Sequence, residues 1–352
     1  MKRLFLVCPL VVLAACIAGC GKDPAAETAA PAATDRGPDF DTLMRTAVAG
    51  VAQKDAAAAT ASAAKALELQ PESAEAHLLA GQAACLRQDY DEARAQLSSV
   101  VKAKTLPNVL RAKAYVGLGT VDYVQHEADA ARISFLQARR LDNSNEAAWY
   151  YLGMIYRDIF HFEEAAQEHF QMFVGLSSKS DNPLTKKVKE EILPELYSNA
   201  AARAKARTGN AGKAAALIQE AQTQRDKNRL TEAVKKYAEA RKADPQSDVA
   251  ALGYAQLVTS TDKTAEGARK AIQAYHDVIA LKPGGLDYYL KAAQLARAFD
   301  FKIQAVEIMN RAIAHHPQNP KVLDQLIAAL LKTGNDKLAK AWGEYRKDLG
   351  GR

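Results

Sequence analysis

The chain has 352 residues, a formal net charge of +6, 48% hydrophobic residues and only 7% aromatic ones. That length leads one to expect about two or three domains, and the small, alanine-rich side chains suit close helix–helix packing better than a sheet core. The positive excess is mild and interspersed with acidic residues, with no block of Lys and Arg of the kind a nucleic-acid face requires, so a nucleic-acid partner is not expected.

The N-terminal segment is read apart from the fold. Met1, Lys2 and Arg3 give a short basic start. Leu4 to Ile17 is an apolar run interrupted by Pro9, too short to cross a bilayer comfortably, which takes about 20 apolar residues. Ile17, Ala18, Gly19 and Cys20 follow, and this order resembles a lipobox. The resemblance implies a signal peptide over 1–19, cleavage before Cys20, a diacylglycerol thioether on its sulfur and an acylated amine. An ordinary secretory signal with a coincidental Cys, or an uncleaved membrane helix, are competing readings that leave part of the pattern unexplained. Each buried CH₂ contributes about 0.8 kcal/mol, so three acyl chains would hold the protein to a membrane. Gly21, not Asp, follows the Cys; by resemblance to the sorting rule of diderm bacteria this implies an outer-membrane lipoprotein facing the periplasm. Cys8 and Cys16 leave with the signal and Cys20 carries lipid. Cys85 is then the one remaining thiol, an intramolecular disulfide is excluded, and a buried, unreactive role on an apolar helix is expected.

Residues 20–39 contain Pro24, Pro31 and Pro38 and no large apolar side chain. They cannot bury enough surface to offset their conformational entropy and are expected to form a flexible tether.

From Phe40 the chain is periodic. Trp149, Leu152, Gly153, Tyr156 and Ala165 have the spacing W-x2-L-G-x2-Y followed by Ala, which is the signature of the tetratricopeptide repeat (TPR). Tyr115, Leu118, Gly119, Ala131, Phe135 and Ala138 repeat the pattern over 112–145, and His77, Ala80, Gly81, Ala93 and Leu97 over 74–107, with residues 108–111 as extra spacing. The unit 40–73 is weak at its start but carries Ala59, Ala63, Ala66 and Pro71. Further units are 214–247, 248–285 with an insertion near Thr259 to Gly267, 286–319, and 320–352, whose last helix is a lysine-rich cap. The resemblance implies an all-α, right-handed superhelical solenoid of antiparallel helix pairs. It would comprise an N-terminal array over 40–179 and a C-terminal array over 214–352, about four repeats each. Residues 180–213 fit neither and are expected to form an irregular helical joint. In it a helix begins near Pro194, and the turn Thr208-Gly209-Asn210 repeats the triplet Thr333-Gly334-Asn335. That analogy leaves the pairing of the helix after Ala211 open.

No chemistry is expected. His161 and His169 are eight residues apart, too far along a helix to share an ion, and His169 occupies an inward-packing repeat position. His77 is expected in the core, and His315 and His316 at a helix end. Gly81, Gly117, Gly119 and Gly153 sit at packing positions, and no phosphate-binding or nucleophile motif is present. No metal, cofactor or small-molecule substrate is expected, and the protein is not expected to be an enzyme.

In TPR proteins the first helices line a groove, and the family resemblance places groove residues at fixed positions of each unit. Here these are Gln82, Cys85, Lys113, Thr120, Tyr123, Tyr150, Met154 and Arg157, then Gln222, Arg225, Gln256, Gln294 and Arg297. Gln can pair with an extended backbone, Arg can grip a carboxylate, and Tyr and Met offer apolar contact. The resemblance to lipid-anchored TPR assembly factors implies a scaffold holding a partner protein or peptide for a secretion, pilus or outer-membrane complex. An adaptor of a periplasmic peptidase or peptidoglycan enzyme, and a component of exopolysaccharide export, stay open as alternatives.

Overall fold

A computed structural model describes residues 39–178 and 182–350. The signal peptide, Cys20 and nearly all of the tether lie outside the described residues. The tether's last residue belongs to the fold: Asp39 caps the first helix, its Oδ1 accepting the Thr42 N–H at 2.7 Å. All regular structure among the described residues is helical. They divide into two compact units, the first ending at Leu193 and the second beginning at Pro194.

The first unit contains α1 (Phe40–Gln53), α2 (Ala56–Leu69), α3 (Ala74–Leu86), α4 (Tyr90–Lys102), α5 (Asn108–Val124), α6 (Ala128–Leu141), α7 (Glu146–Asp158) and α8 (Glu163–Ser177). They pack as four consecutive TPR-type pairs, each helix against the one before and the one after it. Residues 108–111, expected as spacing, instead form the first turn of α5. The stack ends on a short helix, α9 (Pro183–Lys187), which runs into a π-turn over Val188–Ile192. Leu184, Val188 and Ile192 are buried, closing the end of the fourth pair. Helical structure thus starts at Pro183, well before the expected start near Pro194, because Asn182 caps it and proline fits the first helical position.

The helix α10 (Leu193–Ala206) starts on the last residue of the first unit, and the rest of it opens the second. Four pairs follow: α11 (Ala211–Asp226) with α12 (Leu230–Ala243), α13 (Asp248–Thr261) with α14 (Ala265–Leu281), α15 (Leu286–Ala298) with α16 (Lys302–His315), and α17 (Pro320–Lys332) with α18 (Asp336–Gly350). The open pairing is decided: α11 packs along α12 as the first helix of a pair. The shared triplet serves two different purposes. Gly334 joins the helices of a pair with φ 76. Gly209 makes a close approach, since a Cβ there would lie 2.4 Å from the Ala243 carbonyl oxygen.

Two local devices make the pairs. The first is a left-handed residue between the two helices: Lys54, Gln88, His126, His161, Asn228 and Asp300 have φ of 54 to 62, joining Gly334. In most of these turns the next residue's N–H returns to a carbonyl five residues back, as from Asp89 to Ala84 and from Phe301 to Ala296, both at 2.8–2.9 Å. This satisfies an orphan carbonyl and reverses the chain. The pair α13–α14 is built differently, because three inserted residues form an Asp262–Thr264 turn in which Asp262 Oδ1 accepts the Thr264 N–H. The second device is close approach inside the pair. A Cβ on Gly119 would lie 2.8 Å from the Phe135 ring, and one on Gly153 equally close to Phe170.

A third device ties three of the pairs to the loop before them. His77 Nε2 donates to the Pro71 carbonyl at 2.8 Å, Trp149 Nε1 to that of Asn143 at 2.8 Å, and Tyr289 Oη to that of Pro283 at 2.9 Å. Each donor holds the same repeat position and reaches six residues back. His77 is accordingly a half-buried tie, not a core residue.

An L-residue in the left-handed region costs about 1–2 kcal/mol, partly offset by glycine's larger entropy loss on folding. Gln88→Gly is therefore expected to stabilise the first unit by roughly 0.5–1 kcal/mol. Gly334→Ala is expected to destabilise the second by about 1 kcal/mol or more through backbone strain alone, since no atom lies near the added Cβ. Urea unfolding midpoints of the two variants check both signs.

Candidate partner-binding surface

Every residue expected in the groove lies on the first helix of its pair, but their exposure differs. Gln82, Cys85 and Thr120 are buried, and Tyr150 is only 2% exposed. Gln82, Cys85, Thr120 and Tyr150 are thereby corrected out of the accessible set. Tyr150 is drawn inward because its ring meets Tyr151, Phe170 and Phe173 at 5.6, 6.1 and 5.3 Å, all edge-on. Lys113, Tyr123, Met154, Arg157 and Arg297 are half-buried, and Gln222, Arg225, Gln256 and Gln294 are exposed.

The structure brings one subset together. Tyr123, near the end of α5, packs edge-on against Tyr151 of α7 at 5.9 Å, and Tyr151 stacks on Phe135 at 4.7 Å. Through Tyr151 and Tyr150 an aromatic chain continues to Phe173. At its outer end sits Arg157, bound by Nε and Nη2 to Asp158 at 2.5 and 3.0 Å. Arg157 Nη2 also approaches the Met154 sulfur at 3.6 Å, and its guanidinium stands over Phe170 at 5.7 Å. Burial raises the Tyr123 hydroxyl's pKa; the Asp158 charge raises it further and Arg157 opposes. Tyr123, Met154, Arg157 and Asp158 thus form a partly exposed patch across two adjacent first helices, with an aromatic floor.

Asp158 and Tyr151 were not anticipated from sequence. Asp158 had a signal: the Arg-Asp step recurs at Arg225 and Asp226, where the pair is looser, 3.8 Å apart and mostly exposed. In the second unit no hydrogen bond, ion pair or ring contact joins Gln222, Arg225, Gln256, Gln294 and Arg297 to one another. They share a helix position without forming one cluster.

Several ionisable groups are committed to structure. His169 is buried, its Nδ1–H donating to the Ala165 carbonyl and its Nε2 accepting from Arg139 at 3.0 Å, which fixes the neutral tautomer. Arg139 also lies over the Trp149 ring at 4.6 Å. Asp122, 3% exposed, receives Arg94 from the preceding pair at 2.6 Å and Ser134 at 3.3 Å. Burial raises its pKa, and Arg94 pulls it back. Burial pushes the Cys85 thiol up to about 12. Among the described residues no group of three or more His, Cys, Asp or Glu side chains could hold a metal ion. No described helix is long and apolar enough to cross a membrane.

No protein-family model and no curated protein matches this chain. Among solved structures, a crystal structure of MamA protein aligns at 15% identity over 68% of this chain and 91% of its own, with a TM-score of 0.27. PilF of Pseudomonas aeruginosa aligns at 15% identity over 68% and 93%, with a TM-score of 0.28. A tetratricopeptide repeat protein from Parabacteroides merdae aligns at 12% identity over 83% and 98%, with a TM-score of 0.32. The fold assignment rests on the pairing and register within the chain itself.

Tyr150→Ala is expected to cost about 3–5 kcal/mol of stability, as for a fully buried aromatic, and Met154→Ala about 1 kcal/mol or less. Denaturant unfolding of the two variants separates them. Cys85 ionises in the unfolded chain near its ordinary value of 9.0 but only at about 12 in the fold. Its contribution to stability is therefore constant below 9.0 and is lost as pH rises from there towards 12. Iodoacetamide labelling at mildly alkaline pH, read by peptide mapping, should be slow at Cys85 in the native protein and fast in urea.

Proposed function

We propose that this chain is a membrane-anchored interaction scaffold of the bacterial envelope. In this reading a lipid on Cys20 holds it to the outer membrane, and residues 21–38 give the folded part reach. The first-helix surface engages a partner protein or peptide during assembly of a secretion, pilus or outer-membrane complex. The observation that carries the reading is the patch of Tyr123, Met154, Arg157 and Asp158. It offers an aromatic edge, a thioether and a pre-formed ion pair side by side. Packing of successive first helices on one another, α1 with α3, α3 with α5, α11 with α13 and α15 with α17, supports an inner face lined by first helices. The scaffold is non-catalytic and needs no cofactor.

The test is photo-crosslinking in cells from positions 123 and 157, with exposed second-helix positions Glu92 and Lys235 as controls. A dominant protein trapped by the first pair and not the second is expected. Trapping confined to the controls would sink the groove reading. Separately, Cys20→Ser is expected to move the protein from the membrane fraction to the soluble fraction; persistence with the membranes would overturn the anchor.

A further inference from the structure

The chain's positive excess resides in its second unit. From Pro194 onward basic residues outnumber acidic ones, and before it the reverse holds. Within that unit lies a cavity of about 450 Å³ at the end of α12, walled by the α12–α13 loop, α13 and α14 and bordered by the turn after α10. Its charged and aromatic lining is Arg207, Arg241, Lys242, Asp244, Tyr254 and Asp277. None of Gln222, Arg225, Gln256, Gln294 or Arg297 lines it, so it is separate from the residues expected in the groove.

The site is built rather than incidental. Asn210 N–H donates to the Ala243 carbonyl at 2.7 Å, and Gln246 Nε2 to that of Ala204 at 2.9 Å. These bonds fasten the turn carrying Arg207 to the rim. Arg241 lies over the Tyr254 ring at 4.6 Å and gives Nη2 to Asp277 at 2.5 Å. Stacking and ion pairing hold its guanidinium in place while Nε and Nη1 keep no hydrogen-bond partner. Both carboxylates are occupied from within: Asp277 by Arg241 and by Gln273 at 3.4 Å, Asp244 by the Gln246 N–H at 3.0 Å. Arg207 and Lys242 make no side-chain hydrogen bond or ion pair among the described residues. The charged donors that remain open are Arg207, Lys242 and the Nε and Nη1 of Arg241; the Ser247 and Tyr254 hydroxyls lie beside them, and Ala238, Ala251 and Pro245 add apolar wall.

We infer that this cavity docks an acidic segment of a partner polypeptide. Carboxylates on a flexible stem match the three cations, two from the end of α12 and one from the turn after α10, and the methylenes match the alanine and proline wall. The volume lies in the range that takes a group larger than one inorganic anion. This inference is independent of the first-helix patch.

Fluorescence anisotropy of the full chain in detergent, with fluorescein-labelled penta-glutamate as probe, tests it. The probe is expected to bind, and its penta-glutamine counterpart to bind at least about tenfold more weakly. The double variant Arg207→Gln/Lys242→Gln should weaken binding by about tenfold without moving the thermal unfolding midpoint, because neither side chain has a partner to lose. Lys332→Gln/Lys340→Gln removes equal charge elsewhere in the same unit and should leave binding within about twofold. Equal weakening by the two double variants would mean diffuse attraction and overturn the site. Displacement of the probe by inorganic phosphate at concentrations where unlabelled penta-glutamate fails would identify a phosphate site and overturn the peptide assignment.

Discussion

The close approach of the two helices in each pair is the constraint on which the other features rest. It needs a missing or minimal side chain on the first helix, as at Gly119 and Gly153, and a ring from the second helix laid against it. It also needs a chain reversal short enough to keep the helices in register, supplied by one left-handed residue in every pair but α13–α14. That six of these are not glycine means the chain accepts about 1–2 kcal/mol of local strain at each, repaid by interhelical packing.

Given such pairs, the next problem is fastening one to the next. The chain solves it with polar tips on otherwise apolar residues. His77, Trp149 and Tyr289 reach back to the preceding loop, and Arg94, Arg139 and Arg241 reach across to the following pair. These links consume many of the groups that a sequence reader would consider for binding or catalysis. His169 and Asp122 are the clearest cases, since both are buried and both receive an arginine from a neighbouring pair.

What is left over differs between the units. The first unit is rich in rings, and its accessible first-helix surface is an aromatic edge with an internally neutralised arginine. The second is basic, its expected groove residues are dispersed, and three of its cations line a cavity beside an inter-repeat loop.

By itself the sequence determined the helices, their pairing within most repeats and the small-against-large contacts, because a repeat's spacing and its turn chemistry are local. Where locality failed, tertiary structure decided. The insertion-like residues 108–111 became a helical turn, and the triplet Thr-Gly-Asn took a left-handed backbone at Gly334 but a tight packing contact at Gly209. Repeat position alone could not separate Tyr150, enclosed by Phe170 and Phe173 of α8, from Met154 one turn further on, which stays partly open. Nor could it show that Arg157 is already bound by Asp158, or that Arg207, Arg241 and Lys242 converge. Burial and charge pairing depend on side chains contributed by other helices, and only their packing brings those side chains together.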